Sequence, residues 1–255
     1  MKNHLINLSA TLAILMLLNF NGKAQDAYLG DNKTANKLSA ILSKAEDSVM
    51  KQFKSKNLVW PPSAVYLRSF KFDRQLEVWV KDDSAQKFVM YKSYKICMQS
   101  GTMGPKRMEG DYQVPEGFYH INEFNPNSNY HLSLGLNYPN ASDRILSDSV
   151  KPGGAIYIHG NCVSTGCIPI SDEPIEELYI ITGAAKAQGQ EFIPVHIFPI
   201  KYNVKSSLEY LNNATKDDAY LQKFNKNIKE VFDYFEKQKE LPVILINRKG
   251  EYVIN

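Results

Sequence analysis

The stretch IHGNCVSTGCIPISDEPIEELY, residues 158–179, decides how the chain is read. It places His159 and Cys167 eight residues apart in a glycine-punctuated loop that follows the short apolar strand Ala155-Ile156-Tyr157-Ile158. A thiol is a poor nucleophile until it loses its proton, and a nearby imidazole is the usual group to take it. The pair reads as a nucleophile, Cys167, and its general base and acid, His159. Gly166 lets the chain adopt a positive φ immediately before the sulfur. A tight turn built from Ser164, Thr165 and Gly166, with Gly160 after the base, can then expose the thiol and aim backbone N–H groups at a developing oxyanion.

Downstream, Ser171 or Asp172 is the candidate N-cap of a helix with Pro174 in its first turn and an end near Gly189. FIPVHIFPI (192–200) reads as a buried strand in which His196 is a core or edge histidine rather than a catalytic one. Residues 205–239 give two helical stretches, the second with an apolar stripe through Leu221, Phe224, Ile228, Val231, Phe232 and Phe235. VILINRKGEYVI, after Pro242, is a closing hairpin that turns at Arg248-Lys249-Gly250. Upstream, apolar spacing from Leu38 to Phe53 predicts a helix over 34–55, ended by Trp60-Pro61-Pro62. VYLRSF (65–70), LEVWVK (76–81) and KFVMYKSYKICM (87–98) follow as an antiparallel meander. The glycines and prolines of 100–117 lack a Gly-Lys-Ser/Thr pattern and read as hairpin turns rather than a phosphate cradle. Residues 125–154, rich in Asn, Ser, Pro and Gly, read as a long irregular loop overhanging the thiol.

Residues 155–179 resemble the catalytic segment of the L,D-transpeptidase (YkuD) family, and within it the YafK-like branch, where a strand runs into His-Gly and then Ser-x-Gly-Cys before a helix. SFKFDRQLEVWVKD (69–82), SGTMGPKRMEGDYQVPEGFYHI (100–121), NPNSNYHLSLGLNYPNASDR (125–144) and VFDYFEKQKELPVILINRKGEYVI (231–254) resemble that branch's other segments in the same order. The broader family carries Ser-His-Gly-Cys followed shortly by Arg, whereas this chain has Ser164-Thr165-Gly166-Cys167 and then Ile168-Pro169. His159 is therefore the one histidine left in the loop, and the usual arginine for holding the donor peptide is missing. The resemblance implies transpeptidation or hydrolysis at peptidoglycan stem peptides, without choosing between them.

Residues 1–24 have the order of a secretion signal: Lys2, an apolar core from Leu8 to Leu18, and Gly22-Lys23-Ala24 before the expected cleavage at Gln25. The apolar run is shorter than the ~20 residues of a spanning helix. The expected location is periplasmic or secreted, with no permanent membrane anchor, and the mature N-terminus is expected at or near Gln25, which N-terminal sequencing of protein recovered from cells checks. Removing Lys2 and Lys23 from 30 basic residues leaves 28 against 27 acidic ones. That balance excludes the strongly basic face that nucleic acid demands. Of the three cysteines, Cys97 reads as a buried thiol, while Cys162 and Cys167 could form a disulfide or join His159 at zinc.

The expected architecture is α+β: a YkuD-type, mostly antiparallel β domain over 63–200, an N-terminal helical arm over 25–62, and C-terminal helices and hairpin over 201–255 packed on it. The expected chemistry is acyl transfer through a Cys167 thioester, resolved by water or by an amine on another stem peptide or a wall-attached protein, with no cofactor and no metal. Tyr130 and His131 are candidates for shaping the acceptor side, and Arg144 or Arg107 for pairing a stem-peptide carboxylate. The alternative from another class is a non-catalytic wall-binding module in which His159, Cys162 and Cys167 brace a loop or bind zinc.

Overall fold

A computed structural model describes residues 32–83, 87–147 and 151–255, so the signal segment lies outside the described residues. An eight-stranded sheet carries the fold: β1 (Ala64–Phe70), β2 (Gln75–Lys81), β3 (Val89–Lys95), β4 (Gly117–Asn125), β5 (Ser133–Leu136), β6 (Tyr157–His159), β7 (Ile168–Pro169) and β8 (Ile193–Phe198). Their spatial order is β3-β2-β1-β8-β4-β5-β6-β7. Pairing is antiparallel except for β1 with β8 and β6 with β7. The expected meander is β1-β2-β3, and the mostly antiparallel α+β reading holds.

β1 shows why the sheet lies between two helical layers. AVYLRSF is buried at six consecutive positions because both of its faces are covered. Val65 and Leu67 join the larger core with Val49 and Phe53 of α1 (Asn32–Ser55) and Ile175, Leu178 and Ile181 of α3 (Asp172–Ala187). Phe70, on the opposite face, packs with Phe198 and with Leu211 of α4 (Lys205–Thr215) and Ile228, Val231 and Phe232 of α5 (Ala219–Gln238). The hairpin β9 (Ile244–Ile246) and β10 (Tyr252–Ile254) closes this second layer through Tyr252. Arg68 points into the same layer, where Glu77 and Glu236 accept from its guanidinium at 2.7 Å each.

Two expectations are corrected. Residues 125–154 are not one long irregular loop: β5 and the short helix α2 (Ala141–Leu146) lie within them. Asn140 and Asp143 form a reciprocal capping box at α2, a signal legible as Asn-x-x-Asp but overlooked among the polar residues. Cys97 is not a buried thiol either; it forms a disulfide with Cys162, leaving Cys167 free. Cys162 is thereby removed both from a bridge to Cys167 and from any thiolate ligand set. The Cys97 N–H also donates to Pro169 O at 3.0 Å, so the sheet curls until the end of β3 meets β7 at the other edge. With a sequence separation of 65 between the cysteines, the chain-entropy account puts the stabilisation at ~4 kcal/mol. Replacing both Cys97 and Cys162 with alanine should lower the urea unfolding free energy by up to about that amount.

Candidate active site

β6 and β7 run parallel, with Ile158 opposite Ile168 and His159 opposite Pro169. Cys167, one residue before β7, therefore comes beside Tyr157, and side-chain alternation puts Cys167, Tyr157 and His159 on one face of the sheet. The eight-residue spacing is the length of the crossover that brings the His159 ring on β6 and the Cys167 sulfur at the start of β7 to neighbouring strands. Gly166 takes φ +134°, and a Cβ there would stand 3.2 Å from the Gln113 carbonyl oxygen. Both conformation and space require glycine, so Gly166→Ala should cost about 1–3 kcal/mol in thermal unfolding.

The imidazole of His159 is buried, and its Nδ1 lies 2.5 Å from the carbonyl oxygen of Gly160. A carbonyl only accepts, so Nδ1 carries the proton and Nε2 carries the lone pair. The Tyr130 ring covers the imidazole at 4.7 Å between centroids. Burial lowers the His159 pKa, with the Gly160 carbonyl acting the other way. Burial also raises the Cys167 pKa, against an opposing contact from the Tyr157 backbone. The resting pair is thus a neutral imidazole and a protonated thiol, whose Sγ–H donates to Ala155 O at 3.7 Å. The rate of the reaction in which His159 acts as base should rise with pH through an acid limb below the ordinary histidine value. It should hold its plateau until above the ordinary thiol value, as a kcat/KM profile would record.

The loop around the pair is tied at several points. Asp172, the first residue of α3, accepts the Asn161 N–H on Oδ1 at 2.7 Å. A Cβ at Gly160 would fall 2.7 Å from that same oxygen and 2.8 Å from Tyr130 O, so only glycine lets the loop sit this close. Ser171 occupies the N-cap position but makes no side-chain cap. Ser164 Oγ accepts the Gly166 N–H at 3.2 Å and donates to Cys167 O at 2.8 Å. Gly166 is thus spoken for as a donor, which leaves the N–H groups of Thr165 and Cys167 as the oxyanion candidates.

The remaining candidate residues divide. Tyr130 is in the site; His131 lies next to it, its Nε2 2.6 Å from Glu176 Oε1 on α3. Arg107 is not a free carboxylate clamp: it pairs with the buried Asp143 at 3.0 Å and donates to Tyr220 Oη. Arg144 is exposed on α2, with no ion pair among the described residues. The sequence reading missed Gln113, whose carbonyl backs Gly166, and Lys71, which ties down the neighbouring Gly104 and Val114 carbonyls. Gln113 Nε2 donates to Thr102 O and Gly104 O, and the fully buried Lys71 ammonium donates to Gly104 O and Val114 O at 3.0 Å while pairing with Glu116. A lysine inside an otherwise alternating strand exit, Phe70-Lys71-Phe72, was the available signal.

The family model for the L,D-transpeptidase catalytic domain, YkuD, matches residues 71–197. The Escherichia coli K12 protein named "Putative L,D-transpeptidase YafK" is 32% identical over 215 residues, covering 84% of this chain and 81% of that protein, and its counterpart in strain O157:H7 matches equally. The chain belongs to the L,D-transpeptidase (YkuD) family. Among solved structures, the helical cell shape determining protein Pgp2 of Campylobacter jejuni is similar at 22% identity and TM-score 0.44, over 72% of this chain and 73% of that one. Bd1075 of Bdellovibrio bacteriovorus is similar at 21% identity and TM-score 0.40, over 69% and 62%.

Proposed function

We propose that the protein is a cysteine acyltransferase acting on peptidoglycan stem peptides outside the cytoplasm. The observation that carries this reading is a free thiol and a neutral imidazole on one face of adjacent parallel strands, with Nδ1 anchored by Gly160 so that Nε2 is the basic nitrogen. His159 Nε2 takes the Sγ proton as sulfur attacks an amide carbonyl, forming a C–S bond. The N–H groups of Thr165 and Cys167 receive the oxyanion. Collapse breaks the C–N bond, the imidazolium protonates the departing amine, and a thioester remains on Cys167. An amine or water then attacks the thioester, with His159 again taking the proton, and the thiol is restored.

Membership of the family supports the wall substrate. The Cys97–Cys162 disulfide supports an oxidising compartment. None of the described helices is long and apolar enough to cross a membrane. Residues 63–200 hold every group in this mechanism, with the arm and C-terminal elements as its packing layers. The test is incubation of the purified protein with defined muropeptides followed by mass spectrometry. Cross-linked or shortened products, with a transient adduct on Cys167, are expected; unchanged muropeptides would overturn the reading.

A further inference from the structure

When His159 takes the thiol proton, a buried imidazole becomes a cation. Its Nδ1 faces the Gly160 carbonyl oxygen, where a Ser-His-Asp triad supplies a carboxylate. The carboxylates that α3 brings to this loop are engaged elsewhere: Asp172 accepts the Asn161 N–H, and Glu176 meets His131. On the sheet, Cys167 rests as a protonated thiol and the Tyr157 hydroxyl donates to Glu123. Burial and the Gly160 carbonyl shift the His159 pKa, and no carboxylate charge of the described residues acts with them.

What covers the imidazole is the ring of Tyr130. Centroids 4.7 Å apart and planes inclined by 31° put one ring face against the other. That lies within the ~6 Å over which an aromatic quadrupole attracts a cation. Burial is not what holds the tyrosine there, since it is 43% exposed. The backbone holds it instead. His131, the next residue, has φ +75°, in the left-handed region that a non-glycine residue occupies only under strain. Its Nε2 lies 2.6 Å from Glu176 Oε1, which ties the kink to α3. The Tyr130 N–H donates to Ser128 Oγ at 3.1 Å, and the Tyr130 carbonyl lies against Gly160, where a Cβ would fall 2.8 Å from its oxygen. A strained backbone locked on both sides of the ring fixes an aromatic face on the general base.

We propose that Tyr130 is a positioning residue that acts through His159: its π face steadies the imidazolium during proton transfer, in the place a carboxylate holds in a triad. The inference rests on the reading of Cys167 and His159 as the acyl-transfer pair. An aromatic face attracts the cation more weakly than a carboxylate does, so the buried ring stays neutral at rest. The attraction is made when the charge forms, and it therefore contributes to kcat rather than to substrate binding.

The test places two rings at position 130 of the full protein: phenylalanine, as Tyr130→Phe, and pentafluorophenylalanine. The second keeps the shape and water exclusion of the first but reverses the charge on the ring face. Tyr130→Phe should keep kcat on defined muropeptides within about threefold of wild type. The fluorinated ring should lower kcat roughly tenfold below Tyr130→Phe at unchanged KM. In a Cys167→Ala background, the His159 titration midpoint, followed by proton NMR, should lie about 1 pH lower with the fluorinated ring than with phenylalanine. The sign follows because an imidazolium repelled by the ring face gives up its proton sooner. Equal kcat and equal midpoints for the two rings overturn the role of Tyr130 and leave the proposed function standing. Muropeptides left unchanged by the wild type overturn the acyl-transfer reading, and the inference with it.

Discussion

Cys167→Ser should reduce turnover of muropeptides to background, a loss on the order of 10³-fold or more, while Cys162→Ser keeps activity within a few-fold. A serine hydroxyl ionises far less readily than a thiol, and the pocket that already raises the Cys167 pKa disfavours an alkoxide further. Cys162 is bonded to Cys97 instead, so its loss falls on stability, read as a lower unfolding midpoint. Wild-type activity should need no reductant, since the bridged sulfurs are not the reacting one. Equal loss of turnover in the two single variants would move the chemistry away from Cys167.

His159→Gln should lower kcat/KM by on the order of 10²- to 10⁴-fold without unfolding the protein. Glutamine has a similar volume and can still donate to Gly160 O, so the far-ultraviolet circular dichroism and melting temperature serve as controls. His131→Gln should stay within a few-fold of wild type, because that imidazole is held by Glu176 rather than aimed at sulfur. If His131→Gln proves to be the crippled variant and His159→Gln the active one, the base has been assigned to the wrong ring.

The elements whose pattern is local were legible in the chain. LEVWVK reads as a strand through its run of apolar and β-branched residues and is buried at five consecutive positions, and the stripe from Phe224 to Phe235 falls on one face of α5. The helix with Pro174 in its first turn and the Arg248-Lys249-Gly250 hairpin follow from proline placement and turn chemistry. Pairings between distant segments left no such mark. Nothing local to FIPVHIFPI says that Val195 lies beside Leu67 in a parallel pair, and nothing local to Cys97 says that curling of the sheet carries it to Cys162. For the same reason Arg107 read as an available cation: its partners Asp143 and Tyr220 stand far along the chain. Cys167 and His159 were recognisable because one short crossover contains both.

The meeting of β3 and β7 has a consequence for behaviour in solution. An open sheet has two edges whose unpaired N–H and C=O groups can recruit a strand from another molecule. Here Cys97 gives its N–H to Pro169 O, the disulfide clasps the same seam, and β7 is only two residues long with a proline as its last. Cutting the clasp with a reductant leaves the seam held by that hydrogen bond, so both edges open more readily. The reduced protein should then associate with itself in proportion to its concentration, visible as light scattering before any loss of secondary structure.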